Sequence, residues 1–208
     1  FDEVATILEK AGKKDFNQTL QTVLSGIIKK HKRVIFNGDN YTAEWELEAE
    51  KRGLPNFKTT PTALQALITE KALKLFEKHC VFSRVELKSR YLIRLERYIK
   101  DLEIEVKCLN NICMSYVIPA AVVYQKMLAG AINETKAVLE GSAACSAEVE
   151  ILKKVIDLID KIYAANKKIR AQVETAENIH DEQEKADMLC NKVKTAMNSL
   201  RDYVDELE

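Results

Sequence analysis

Few residues in this chain have the type and spacing that chemistry requires. The sharpest candidate is Asn37-Gly38-Asp39. A glycine turn ahead of a helix can cradle phosphate, and an Asp can hold a divalent cation. The GxxxxGK[ST] word is absent and no second carboxylate stands at metal-binding spacing, so a structural turn is the favoured reading. His79-Cys80 is the adjacent pair of soft ligands. Neighbours on a helix point about 100° apart and do not readily share one metal, so two ordinary residues are favoured over zinc. Arg90, Arg94 and Arg97 share one helix face. Such a stripe could take phosphate or a partner subunit, but Glu86 and Glu96 lie beside it, which favours a solvated, ion-paired face. Trp45 reads as a core or domain-docking anchor before a stacking platform. His31, His79 and His180 have no Ser or Cys partner in a triad arrangement. No catalytic, cofactor or metal residue is assigned, and Trp45, Arg90, Arg94 and Arg97 stand as candidate subunit or domain contacts.

Composition narrows the class. The 208 residues suit one domain, or one with an appendage. Thirty-two basic and 32 acidic residues cancel, which argues against nucleic acid or an acidic membrane as the main partner. No apolar run approaches the ~20 residues of a membrane span. The five cysteines are odd in number and form no CxxC pair, so the chain reads as reduced and cytoplasmic. Six Gly and three Pro leave few breaks and favour long helices.

The elements that position these residues follow from periodicity and caps. Asp15 to Gln18 is a capping-box pattern before a helix with Leu20, Val23, Leu24, Ile27 and Ile28 on one face. Arg33–Phe36 predicts a short strand and Asn37-Gly38 a turn with positive φ. Asn40 or Thr42 then caps the Trp45 helix, which stops at Gly53 in the C′ position, with Leu54 behind it and Pro55 blocking continuation. Thr60-Pro61 starts a helix running to His79, striped by Leu64, Leu67, Ile68, Leu75 and Phe76. Ser83 and Glu86 form a second capping box. It opens a pattern to about residue 140 through Tyr91/Leu92, Leu95, Tyr98/Ile99, Leu102, Val106, Leu109, Cys113 and Tyr116/Val117. Pro119 should kink or break that helix, and Ile118–Tyr124, apolar on all sides, should be its most buried part. Gly141–Cys145 reads as a loop of small residues. Ser146 then caps a helix striped by Val149, Leu152, Ile156, Ile159, Tyr163, Ile169 and Val173. A last stretch carries Ala186, Leu189, Val193, Ala196, Leu200, Tyr203 and Leu207. The fold class is therefore mainly α: a long-helix bundle with a C-terminal antiparallel αα-hairpin, and at most one short strand near the N-terminus.

Several ordered words carry a resemblance. They are Phe36-Asn37-Gly38-Asp39-Asn40-Tyr41, Glu44-Trp45, Glu48-Ala49-Glu50-Lys51-Arg52-Gly53-Leu54-Pro55-Asn56 and Lys58-Thr59-Thr60-Pro61. Ser89-Arg90-Tyr91, Pro119-Ala120 and Tyr124-Gln125 continue them at similar spacing. Over roughly residues 20–130 the chain resembles type III glutamine synthetase, the large bacterial form. That family's Asn-Lys-Phe-Glu-Phe-Arg word and Arg-rich phosphate segment do not occur here. The resemblance therefore implies the C-terminal part of a longer polypeptide, whose catalytic residues lie upstream. Phe1 in place of an initiator Met, and a helical pattern uncapped at Glu208, carry the same expectation.

What the resemblance implies is specific. The parent would join ammonia to glutamate through a γ-glutamyl phosphate, with ATP and Mg²⁺ or Mn²⁺, and would assemble as double-ringed homo-oligomers in the cytoplasm. Residues 1–60 would be the C-terminal edge of the catalytic domain and 61–208 a helical C-terminal domain. The partners would be its own catalytic domain and other subunits, with no nucleic acid and no membrane. The fragment alone would be inactive and hold no cofactor, and residues 15–60 would carry apolar surface shaped for an absent neighbour. The alternative is a free-standing helical protein-interaction module.

Overall fold

The computed structural model describes residues 1–11, 15–139 and 145–208. These residues are almost entirely helical and contain no strand. They divide into two compact units, Phe1–Phe57 and Lys58–Glu208.

The first unit holds α1 (Asp2–Ala11), α2 (Phe16–Lys30), a 3-10 turn over Lys32–Val34 and α3 (Ala43–Lys51). Ala49 is the buried hydrophobic residue among its described residues. The α2 stripe is graded: Leu20, Val23 and Ile27 are half-buried, while Leu24 and Ile28 are exposed. The Arg33–Phe36 strand does not form. A lone extended segment has no ladder to satisfy its backbone groups, and this one turns through 3-10 geometry before Ile35 extends. Helix α3 ends as its sequence dictates. Gly53 has φ +67°, its N–H donates to Glu50 O at 2.9 Å, and the Leu54 N–H reaches Ala49 O at 2.9 Å. That pair of bonds is the Schellman motif.

The second unit runs α4 (Thr60–Leu64), a 3-10 turn (Gln65–Ile68), α5 (Glu70–Lys78), α6 (Arg84–Ile112), a π turn (Cys113–Val117) and α7 (Ile118–Val138). It continues with α8 (Ser146–Glu177), α9 (Glu182–Met188), a second π turn (Leu189–Val193) and α10 (Lys194–Leu207). The expected single helix from Pro61 to His79 is broken at Thr69, whose extended backbone and side-chain bond to the Ala72 N–H cap α5 instead. Leu73 becomes the buried residue there and Leu75 is exposed. Helix α5 also closes on a Schellman pair, Cys80 N–H to Glu77 O and Val81 N–H to Phe76 O, with Cys80 at φ +52°. Ser83 and Glu86 form the expected reciprocal capping box at the start of α6.

The core of this unit joins Tyr91, Leu95, Ile99, Leu102, Val106 and Cys113 to facing residues of the C-terminal hairpin. That hairpin is antiparallel. Lys154 Nζ lies 3.0 Å from Glu206 Oε1, and Lys161 Nζ stands 5.9 Å from the Tyr203 ring centroid, so the partner number falls as the chain number rises. Its buried face differs from the expected stripe. Val155, Leu158, Ile162, Ile169 and Ala176 are buried, whereas Ile156 and Tyr163 are exposed. Adjacent apolar pairs at 155/156, 158/159 and 162/163 give period 3.6 two solutions, and packing selected one. Ser146 is the first helical residue, not the cap; Cys145 precedes it at φ +72° with no side-chain cap bond. The expected loop at Gly141–Cys145 otherwise lies outside the described residues.

Pro119 neither breaks nor ends the long helix. The π turn directly before it absorbs the missing N–H and the steric clash, and helical structure runs from Arg84 to Val138. The expectation of deep burial at Ile118–Tyr124 fails: Ala121 is buried, but Val122, Val123 (60% exposed) and Tyr124 face outward. A helix apolar all round needs neighbours all round, and the described residues supply them on one side. By length and composition alone this run includes an 18-residue window of membrane-like hydropathy, mean 1.4.

Candidate functional site

Trp45 sits in the first turn of α3, half-buried. Its ring stacks on Phe36 with centroids 4.5 Å apart, and the Arg52 guanidinium lies 5.7 Å from the Trp45 centroid. Arg52 is the hub. Its Nε donates to Glu48 Oε1 at 2.6 Å, and its terminal nitrogen donates to the carbonyls of Ile35 at 2.7 Å and Arg33 at 3.3 Å. The carbonyls that a sheet partner would have taken are thus met by a charge-assisted donor. Sequence reasoning missed this role. Its one signal was the Glu48/Arg52 spacing of four.

Asn37-Gly38-Asp39 is a structural turn that seats the stack. The expected positive φ is absent at both Asn37 and Gly38. Glycine is required for space instead: a Cβ there would come within 2.6 Å of the Phe36 ring, which Trp45 holds in place. Asp39 Oδ1 accepts the Tyr41 N–H at 2.9 Å, and Asp39 O accepts the Thr42 hydroxyl at 2.9 Å. Its polar groups serve the turn itself.

The three arginines of α6 divide their work. Arg90 lies over Phe82, 4.4 Å from the ring centroid. Arg94 and Arg97 line an open cleft of about 580 Å³ with Thr60, Leu64, Tyr98 and Asp101, and Arg97 Nε reaches Asp101 Oδ2 at 3.7 Å. The better-paired arginine is Arg84. It grips both Glu70 oxygens at 3.0 Å and Glu77 Oε2 at 3.2 Å, tying α5 to α6. Arg84 holds the Glu70 carboxyl below the usual carboxylate range, and the Ser83 N–H and hydroxyl do the same for Glu86.

This arrangement binds and braces. Cys113 is buried and its thiol is pushed up by burial, so it is a poor nucleophile. His79 closes α5 and Cys80 occupies its left-handed position, so a helix stop explains the adjacent soft pair. Among the described residues no three His, Cys, Asp or Glu side chains converge to hold a metal ion.

Comparison with known proteins gives the family. The family described as the glutamine synthetase C-terminal domain matches residues 19–136, a span crossing both units. A glutamine synthetase of Butyrivibrio fibrisolvens is 34% identical over 99% of this chain and 30% of its own length. A type-3 glutamine synthetase of Dictyostelium discoideum is 33% identical over 90% of the chain and 26% of its own. A glutamine synthetase of Bacteroides fragilis (strain YCH46) is 27% identical over 83% and 24% respectively. The chain thus spans less than a third of the length of these relatives. The matched span takes in the Trp45 stack, the α6 arginines and the π turn before Pro119, and on it the chain belongs to the glutamine synthetase C-terminal domain family.

Proposed function

We propose that this chain is the C-terminal region of a type III glutamine synthetase, with residues 1–60 finishing the catalytic domain and 61–208 forming a helical domain for packing and assembly. The observation that carries this reading is the family match over residues 19–136 in a chain that spans 30% of a related synthetase. The type III form is supported by the Dictyostelium discoideum relative, which is named a type-3 glutamine synthetase. The parent ligates ammonia to glutamate through γ-glutamyl phosphate, using ATP and Mg²⁺ or Mn²⁺, in the cytoplasm. In this reading the residues that carry that chemistry lie upstream of this chain. The part of the described residues is mechanical. The exposed apolar residues of α7, Val122, Val123, Tyr124 and Met127, offer surface to the catalytic domain or to a second subunit.

Two measurements test this. The isolated chain should show no γ-glutamyl transferase activity, because the preorganised charges that phosphoryl transfer needs lie elsewhere. The full-length protein should lose its high-mass oligomer in light scattering when residues 61–208 are deleted. Transferase activity in the pure chain overturns the placement of catalysis. An unchanged oligomer after the deletion overturns the assembly role.

A further inference from the structure

Helix α6 carries Arg84, Arg90, Arg94 and Arg97 in its first half. Two are engaged within the fold. Arg84 grips Glu70 and Glu77, and Arg90 covers the Phe82 ring. Arg94 has no hydrogen bond, ion pair or ring contact among the described residues. Arg97 reaches Asp101 Oδ2 at 3.7 Å, and the two side chains are 83% and 62% exposed. A pair so long and so wet contributes little, which leaves Arg97 free to turn to a better acceptor. Residues three apart on a helix are neighbours, with about 5–6 Å between Cβ atoms. Arg94 and Arg97 are thus like charges side by side. Their repulsion costs the fold a little, and an anion between them relieves it.

Both arginines line the open cleft of about 580 Å³ between α4 and α6, inside the Lys58–Glu208 unit. Small-molecule sites have volumes of this size. The rest of the lining is largely apolar. Leu64, buried, comes from α4. Ile93 precedes Arg94 and lines the cleft while 59% exposed, an apolar rim that nothing among the described residues covers. Tyr98 is half-buried and has Cys190 beside its hydroxyl, so its ring is the part that can serve a ligand. The cleft therefore sets two open cations beside an apolar wall.

We propose that this cleft binds a phosphate monoester carried on a flat ring, the chemistry of a nucleoside monophosphate. The phosphate, close to a dianion at neutral pH, answers both guanidiniums through their planar forks. The ring lies against Ile93, Leu64 and Tyr98. Asp101, released from Arg97, accepts from the sugar hydroxyls. A carboxylate fits less well, because it brings one negative charge to two cations. Inorganic phosphate leaves the apolar wall in water. An acidic protein segment presents a row of carboxylates, whereas these two charges converge within one turn of one helix. The ATP of the proposed synthetase is a separate matter, since its ligands lie upstream of this chain. The two readings stand or fall apart.

The test is isothermal titration calorimetry of the 208-residue chain with AMP, UMP and flavin mononucleotide as probes. Adenosine, inorganic phosphate, glucose 6-phosphate and a Glu-rich peptide are the controls. At least one nucleotide should bind in the millimolar range or tighter, and about tenfold or more above every control. Arg94→Ala and Arg97→Ala should each weaken it about tenfold or more, with a melting temperature that holds or rises. Arg94→Lys keeps the charge but loses the fork, and should fall between. Ile93→Asp, at an exposed position, should lose the nucleotide. Arg201→Ala makes the same change of charge at another exposed site and should keep full affinity. No nucleotide binding at millimolar concentration overturns the proposal. Inorganic phosphate or the peptide binding as tightly as the best nucleotide overturns it too, by showing a simple anion site or an acidic-protein surface. So does an Arg94→Ala variant of full affinity, or an Arg201→Ala variant that loses as much as Arg94→Ala.

Discussion

Gly53 and Cys80 occupy the same place in two helix stops, and they fill it with opposite ease. Both have positive φ, +67° and +52°, and both sit between the pair of backbone bonds that closes a Schellman motif. Glycine adopts that conformation without penalty, whereas a side chain crowds its own backbone there. Gly53→Ala should therefore lower stability by about 1 kcal/mol, and Cys80→Gly should raise it by about as much. Nothing lies within 4 Å of a Cβ built at Gly53, so that cost is one of backbone and not of collision. Urea melts of the two variants check the pair; shifts of the same sign refute it. Tyr98 provides a second test at this scale. Burial, with Cys190 beside it, pushes its hydroxyl well above the ordinary tyrosine range. Above about pH 10 the unfolded chain gives up this proton while the folded chain keeps it, so stability falls as pH rises. Tyr91, raised by burial as well, adds to the same limb. Tyr98→Phe should flatten the alkaline fall in melting temperature without moving the acid limb. Glu70 and Glu86 contribute to that limb with the opposite sign, since their lowered values cost stability as pH drops through the carboxylate range, by an amount that solvent screening keeps small.

At the scale of elements, α8 shows how packing chooses among faces. Ile162 is 0% exposed and Ile156 39%, though both sit at apolar positions of the same helix. Ile162→Ala should cost about 2–5 kcal/mol, in the range for emptying a closed core site. Ile156→Ala should cost less than about 1 kcal/mol, as a substitution away from the core. Equal losses from the two would mean that the hairpin packs on the other face. The π turns belong to this scale as well. One lets α6 continue past Pro119 into α7, and the other places Leu189, Cys190 and Val193 together on the core side of the second arm.

Taken whole, the chain is unevenly built. The Lys58–Glu208 unit has a contiguous core, while Phe1–Phe57 rests on Ala49, the Phe36–Trp45 stack and the Arg52 bonds. Exposed backbone bonds over few buried contacts open easily. Backbone amides of α2 and α3 should therefore exchange hydrogen faster than those of α6, α8 and α10 by orders of magnitude. Equal protection in both units would show that the first is stable in its own right. In the proposed parent this weakness has a plain origin, because these residues would finish a catalytic domain that this chain does not include.

Local rules were enough for much of this protein. The capping box at Ser83, the stop at Gly53 and the α6 stripe from Tyr91 to Cys113 follow from neighbours within about one or two helical turns, which is the range over which caps and periodicity act, and the antiparallel hairpin needs only two apolar stripes and a short joint besides. The words around Trp45 also gave the family without any coordinates. Other features lay beyond that range. Whether Arg33–Phe36 pairs as a strand, which face of α8 is buried and whether Ile118–Tyr124 is covered depend on partners distant in sequence. The same holds for Arg52, whose acceptors lie 17 and 19 residues back along the chain, and for Asn166, whose placement in the core only the packing of α8 reveals. Periodicity names the faces a helix could bury; the surfaces that reach it decide which one it does.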